Sequence, residues 1–106
     1  MSTIQLRRYQ LGEGTLDTFM DWWVNRVVPI RLSFGYQVEF VYFHEETSEI
    51  VWAARVEGDR AHFDAVEAAY DASEDRIEAF THLPAGVVLG KDIRIVEELD
   101  LAAWRK

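Results

Sequence analysis

His44, His62 and His82 are the only imidazoles in the chain. Their spacing is not that of a metal-binding pair on one helix face, and no HExxH pattern occurs. There is no cysteine, so thiolate catalysis, disulfides and Cys-based zinc are excluded. Neither a metal site nor a resident cofactor is expected. His44 closes a strand and His82 falls in a loop, so both belong at the surface, while His62 lies about 70° from the centre of its helix stripe, a boundary position. The runs Glu45-Glu46 with Glu49, and Glu97-Glu98, read as solvated ends. Close carboxylates can serve acid–base chemistry, but nothing else in the sequence converges on these. Arg8 is more suggestive. It follows Ile4 and Leu6 along the strand face assigned to the helices. A cation there needs a carboxylate, an aromatic face or a ligand anion, unless it sits at the sheet end and reaches water. Arg7, Glu39 and Arg55 fall on the other face, among Tyr9, Val41, Phe43, Val51 and Ala53. Paired charges in such a face fix the register of an interface more than they add affinity.

These residues sit in one domain of 106 residues, 49% hydrophobic and 28% charged, the balance of a soluble globular chain. Four Trp, four Tyr and six Phe exceed what one small core needs. Surplus aromatic surface lines an interface or a ligand cavity. A net charge of -8 argues against nucleic acid and against an anionic membrane as partners. No apolar stretch has the length of a membrane span. The first residues run straight into a strand with no leader pattern, so a cytoplasmic location is the expectation.

The elements that must position these side chains follow from periodicity. Residues 3–11 alternate as a first strand, and Gly12-Glu13-Gly14 breaks it. Thr15 is a candidate N-cap with Asp17 in the first turn. At 100° per residue, Leu16, Met20, Trp23, Val27, Ile30 and Phe34 lie within about 40° of one line, a core stripe over residues 16–34. Asn25 points to water. Trp22 is about 120° off the stripe, which points to a partner contact. Pro29 removes one backbone bond and predicts a kink near residues 25–29, and Gly35 ends the helix.

Two strands, residues 36–46 and 49–57, form a hairpin about Thr47-Ser48. Tyr36, Val38, Phe40 and Tyr42 share one face with Ile50, Trp52, Ala54 and Val56. Asp59 can cap a second helix with the stripe Phe63, Val66, Tyr70 and, in phase, Ile77, unless Ser73 caps a separate segment. Residues 82–90 form a loop with room for a short extended piece at 87–89, and Ile93 and Ile95 mark the last strand, through about Leu99. The order β-α-β-β-α-β predicts an α+β, ferredoxin-like fold with a four-stranded antiparallel sheet and both helices on one face. The half-apolar second face then requires a cover, and a second copy of the chain is the expected one.

Leu6-Arg7-Arg8-Tyr9 with Gly12-Glu13-Gly14 resembles the opening Leu-Arg-x-Tyr and glycine turn of the NIPSNAP-like family. Trp23, Pro29, Gly35, and Trp52 with Arg60 eight residues later are similar in order and spacing, over about residues 4–80. Two residues beyond Trp52 this chain has Ala54 where the family pattern has an aromatic. The resemblance implies a dimeric α+β barrel, two sheets packed face to face with helices outside. Its superfamily includes cofactor-free monooxygenases, lactone isomerases and haem-handling proteins, and the branch itself brings no settled activity.

The expected function is a homodimer holding a small apolar or aromatic ligand between helices and sheet. The expected lining is Trp23, Phe40, Tyr42, Trp52, Phe63 and Tyr70, with Arg8 at the ligand's polar end. The expected dimer interface comprises Arg7, Tyr9, Trp22, Glu39, Val41, Phe43, Val51 and Arg55. The alternatives are a cofactor-free monooxygenase or isomerase, which would orient an already acidic substrate beside Trp, Tyr and Arg, and a protein-interaction dimer without ligand.

Overall fold

The computed structural model describes residues 1–106. Strands β1 (Ser2–Leu11), β2 (Gln37–His44), β3 (Glu49–Glu57) and β4 (Val88–Val96) form one antiparallel sheet in the order β2-β3-β1-β4. Helical segments α1 (Leu16–Trp22) and α2 (Val28–Ser33) connect β1 to β2, and α3 (Arg60–Ala72) and α4 (Glu74–Phe80) connect β3 to β4. A short turn of helix, α5 (Leu101–Trp104), ends the chain. This is the ferredoxin-like arrangement that the element order predicts. The molecule is only 19 Å through its thinnest dimension, the depth of a sheet with helices on one side.

The first helix is not a uniform α-helix. Between α1 and α2, residues Trp23–Val27 form a π-helical turn, in which the Val28 N–H donates to the Trp23 carbonyl five residues back. Pro29 follows at the start of α2. A wide turn before proline accommodates the missing N–H and the ring, so the disturbance predicted near residues 25–29 takes this form. One inserted residue delays the stripe by one position. Arg31 thereby takes the inward direction that an unbroken helix gives Ile30, and it is buried while Ile30 is half-buried. Trp22 is also corrected. It is only 6% exposed, because α4 packs beside α1: its Nε1 donates to the Ala79 carbonyl at 2.7 Å, and its ring meets Phe80. The helix faces two neighbours, so its apolar stripe is wider than a sheet alone requires.

Asp59 caps α3 by accepting from the His62 N–H at 2.9 Å, and Ser73 caps α4 by accepting from the Arg76 N–H at 3.2 Å. The cap at Ser73 breaks the phase, which leaves Ile77 exposed. Thr15 makes no side-chain cap; its hydroxyl donates back to the Gly12 carbonyl. Gly12 itself is required by packing. A Cβ there would lie 2.2 Å from the Gly86 carbonyl oxygen, where the end of β1 meets the loop preceding β4 through Gly12 N–H to Val87 O at 2.9 Å.

Two strands present faces opposite to those expected. On β1, Arg7 lies opposite Trp52 and Leu6 opposite Ala53. Thr3, Gln5, Arg7, Tyr9 and Leu11 therefore face the helices and are buried, while Ile4, Leu6 and Arg8 lie on the open face. Both faces of this strand mix polar and apolar residues, so alternation alone does not choose between them. On β2, the register shifts between Val38 and Phe40, where Glu39 forms a bulge. The extra residue inverts everything after it. Phe40, paired with Ala53, and Tyr42, paired with Val51, stand on the open face with stacked rings 5.3 Å apart. Val41 and Phe43, paired with Trp52 and Ile50, turn to the helix side at the sheet's edge, where they remain exposed. The last strand is also longer at its start than expected, since residues 88–96 pair continuously up to a bulge at Gln10/Leu11.

Candidate functional site

Between the helices and the sheet lies a buried polar cluster wrapped in aromatic rings. Trp52 of β3 is its floor, fully buried, with Trp23 edge-on at 5.1 Å and Tyr9 at 6.2 Å between ring centres. Arg31 descends from α2, only 2% exposed, and its guanidinium carbon stands 4.3 Å from the Tyr70 ring centre, 4.8 Å from Tyr36 and 5.0 Å from Trp52. Arg7 of β1 approaches the other side of Trp52 at 5.5 Å. Glu67 of α3 is the carboxylate between the two cations, 3.1 Å from Arg7 and 3.6 Å from Arg31.

Glu67 accepts hydrogen bonds from three partners. The Tyr36 hydroxyl donates to Oε1, while the Gln5 amide at 2.9 Å and Arg7 Nη2 donate to Oε2. Burial by itself would raise its pKa, but the hydrogen bonds from Tyr36 and Gln5 and the charges of Arg7 and Arg31 win and hold it below the usual carboxylate value. Tyr36 moves the other way: burial and its bond to Glu67 push the hydroxyl far above the ordinary phenol value. Burial also works against the Arg7 charge, yet Tyr9, whose hydroxyl accepts from Nη1 at 2.8 Å, and Glu67 outweigh it and raise its pKa.

Arg31 is served less well. Its Nε and Nη1 make no hydrogen bond, and the same is true of Trp23 Nε1, Trp52 Nε1 and the Tyr70 hydroxyl. Aromatic faces offset a buried charge but leave these N–H donors unfilled. A cluster of buried groups with open donors is an arrangement that native cores rarely keep. The rings themselves fill the cluster, and none of the larger surface concavities is lined by Arg31, Trp23, Trp52 or Tyr70.

Of the lining residues read from sequence, Trp23, Trp52, Phe63 and Tyr70 all lie here. Phe40 and Tyr42 do not, because of the bulge. Arg8 lies on the open face with a half-exposed side chain, 3.4 Å from Asp92 and 3.8 Å from Glu49. Arg7 and Tyr9, read as interface residues, belong to this cluster instead. Sequence does not single out Arg31, Glu67 or Gln5, and it marks Tyr36 only as an inner-face residue beside Trp52. The only signal available for Arg31 was a π-turn ahead of Pro29, and Glu67 sits in a polar-rich helix face.

The open face carries Ile4, Leu6, Phe40, Tyr42, Val51, Ala53 and Val96 between two charged sets. Arg55 pairs with Glu39 and, at 3.2 Å, with Glu98; Arg8 and Arg94 both meet Asp92. Leu6, Arg8, Val51, Asp92 and Arg94 line a shallow concavity of about 290 Å³. His44, His62 and His82 are all exposed, and no group of three metal-ligating side chains gathers anywhere.

The geometry matches solved structures. A NIPSNAP family protein from Agrobacterium tumefaciens superposes with a TM-score of 0.82 over 99% of this chain and 100% of that one, at 9% identity. The fold is that of the NIPSNAP proteins. A NIPSNAP-like domain protein from Burkholderia xenovorans matches at TM-score 0.81, 12% identity, over 92% of this chain and 85% of that one. A second Agrobacterium tumefaciens protein, described as a nipsnap family protein with unknown function, matches at 0.78 and 14%, over 90% and 86%. No family model and no curated protein matches the sequence itself. No helix is long and apolar enough to cross a membrane.

Proposed function

We propose that the chain works as a homodimer of the NIPSNAP-like type that binds a small aromatic ligand between its helices and sheet. One observation carries the ligand: buried donor groups of Arg31, Trp52, Trp23 and Tyr70 have no hydrogen-bond partner among the aromatic rings around them. Such walls with a few convergent polar groups are the usual make-up of small-molecule sites. The rings pack against one another in the free chain, so binding requires Trp23, Arg31 or Tyr70 to yield. The dimer is supported by the open sheet face, where Leu6, Phe40, Tyr42 and Val51 have no helix over them.

The experiment is titration of the protein with flat aromatic compounds while Trp emission is followed, beside light scattering for mass. A saturable change in emission from a species twice 12.3 kDa is the expected result. A dimer that binds none of them leaves the protein-interaction reading. Oxygen uptake or isomerisation of a bound compound would instead make it an enzyme of the cofactor-free kind.

A further inference from the structure

We infer that the ligand of this site is an aromatic carboxylate, its acid group seated on Arg31 and reached past Arg76 and Lys91. The inference rests on the ligand-binding reading above and names the chemistry of that same site.

The unfilled groups are all of one kind. The buried atoms without a hydrogen bond are Trp23 Nε1, Trp52 Nε1, Arg31 Nε and Nη1, Arg76 Nε and the Tyr70 hydroxyl. Every nitrogen among them can only donate, and the hydroxyl can donate as well. What the site lacks is acceptors. Glu67 meets this need only in part: its oxygens already receive Tyr36, Gln5 and Arg7, and Arg31 Nη1 stands 3.6 Å from Oε1 as an ion pair, outside hydrogen-bond distance.

The charge agrees. Arg7, Arg31, Arg76 and Lys91 converge through shared rings. Arg31 lies over Tyr70; Arg7 bonds the Tyr9 hydroxyl; Lys91 stands 5.2 Å from the Tyr9 ring centre. Arg76 and Lys91 both face Phe80, at 3.9 and 5.3 Å. The carboxylates set against these four cations are Glu67 and Asp71, the latter 3.9 Å from Arg76. Two positive charges are left over in a chain whose net charge is -8, so the excess is not composition. Lys91 registers it: burial first, then Arg7, Arg76 and Arg31, lower its pKa.

The exposure of the cations falls from the rim to the core. Lys91 is exposed, Arg76 half-buried, and Arg7 and Arg31 buried. The helix side of β4 around Lys91 is uncovered, with Ile93 44% exposed. An anion drawn to Lys91 and Arg76 would reach the deeper cations as the packed rings yield, and a planar guanidinium fits a carboxylate with two parallel hydrogen bonds. The rings of Trp23, Trp52 and Tyr70 suit an aromatic body.

The test compares 2-naphthoate with its neutral isostere 2-naphthamide, up to about 1 mM, by Trp emission and thermal shift. Naphthoate is expected to bind at least about tenfold more tightly, the scale of one charge-assisted contact. The Arg76→Gln/Lys91→Gln double variant, altered only at the rim, should fold and weaken naphthoate about tenfold while leaving the amide alone. Arg31→Met should erase the preference if it folds; if it does not, the rim variant decides. Equal binding of acid and amide would overturn the anion inference and leave the ligand reading standing. Binding of neither compound would bring down both.

Discussion

Glu67→Gln should be the most damaging single polar substitution in this protein. The change keeps the shape and one acceptor for Tyr36, but it removes the only carboxylate within 4 Å of Arg7 and Arg31. Both arginines are buried. Removing one partner of a buried ion pair costs about 3–5 kcal/mol, because the other charge stays desolvated and unpaired. For a domain of this size each kcal/mol moves Tm by roughly 4–8 °C, so a loss of about 12 °C or more is expected. The pH dependence supplies a second signature. The folded pKa of Glu67 lies below the ordinary carboxylate value that it has in the unfolded chain, so between the two values the unfolded chain holds more protons than the native one. Glu67 therefore contributes stability above the unfolded pKa and loses it as pH falls through the folded value. Urea denaturation of both proteins, from neutral pH down through about pH 3, should show the wild type losing its advantage over the variant on the acid side. A variant within about 1 kcal/mol of wild type at pH 7, or a constant gap down to acid, would refute the assignment of Glu67 as the charge that holds the cluster.

Leu6→Asp or Val51→Asp, on the open sheet face, should yield a folded monomer by light scattering, since an unpaired charge would be buried on association; a dimer of unchanged affinity would place the interface elsewhere. Val41→Asp, on the helix side of the β2 edge, should leave association intact in the same measurement. Trp52→Ala should lower stability by about 3–5 kcal/mol in urea, the usual loss for a buried Trp. Asp59→Ala and Ser73→Ala should each cost about 1 kcal/mol, and the double variant should show the sum, because the two caps serve different helices.

Local chemistry made much of this fold legible. The glycine at position 35, with φ of 97°, stops the first helix where sequence predicts. Asp59 and Ser73 cap helices as their side chains allow, and the alternation of Ile50, Trp52, Ala54 and Val56 marks the true inner face of β3. Each of these depends on residues a few positions apart. The misplacements have an equally specific origin. Periodicity counts residues, and both the bulge at Glu39 and the π-turn at Trp23–Val27 insert one. Everything downstream in the element is then rotated or inverted, although its composition is unchanged. That is why Phe40 and Tyr42 left the expected lining, and why Arg31 entered it.

The sequence by itself determined the element order, the turns and caps, and the aromatic core on which Trp23, Trp52, Phe63 and Tyr70 meet. Only the tertiary structure decided the polar centre. Arg7 and Glu67 are 60 residues apart, Gln5 and Glu67 62, and Tyr36 and Glu67 31. No local pattern ties an arginine on the first strand to a glutamate on the third helix. The same strand offers Arg7 to one face and Arg8 to the other, and both faces are mixed. Burial opposite Trp52 chose Arg7, because there the guanidinium finds rings and a carboxylate to offset its loss of water.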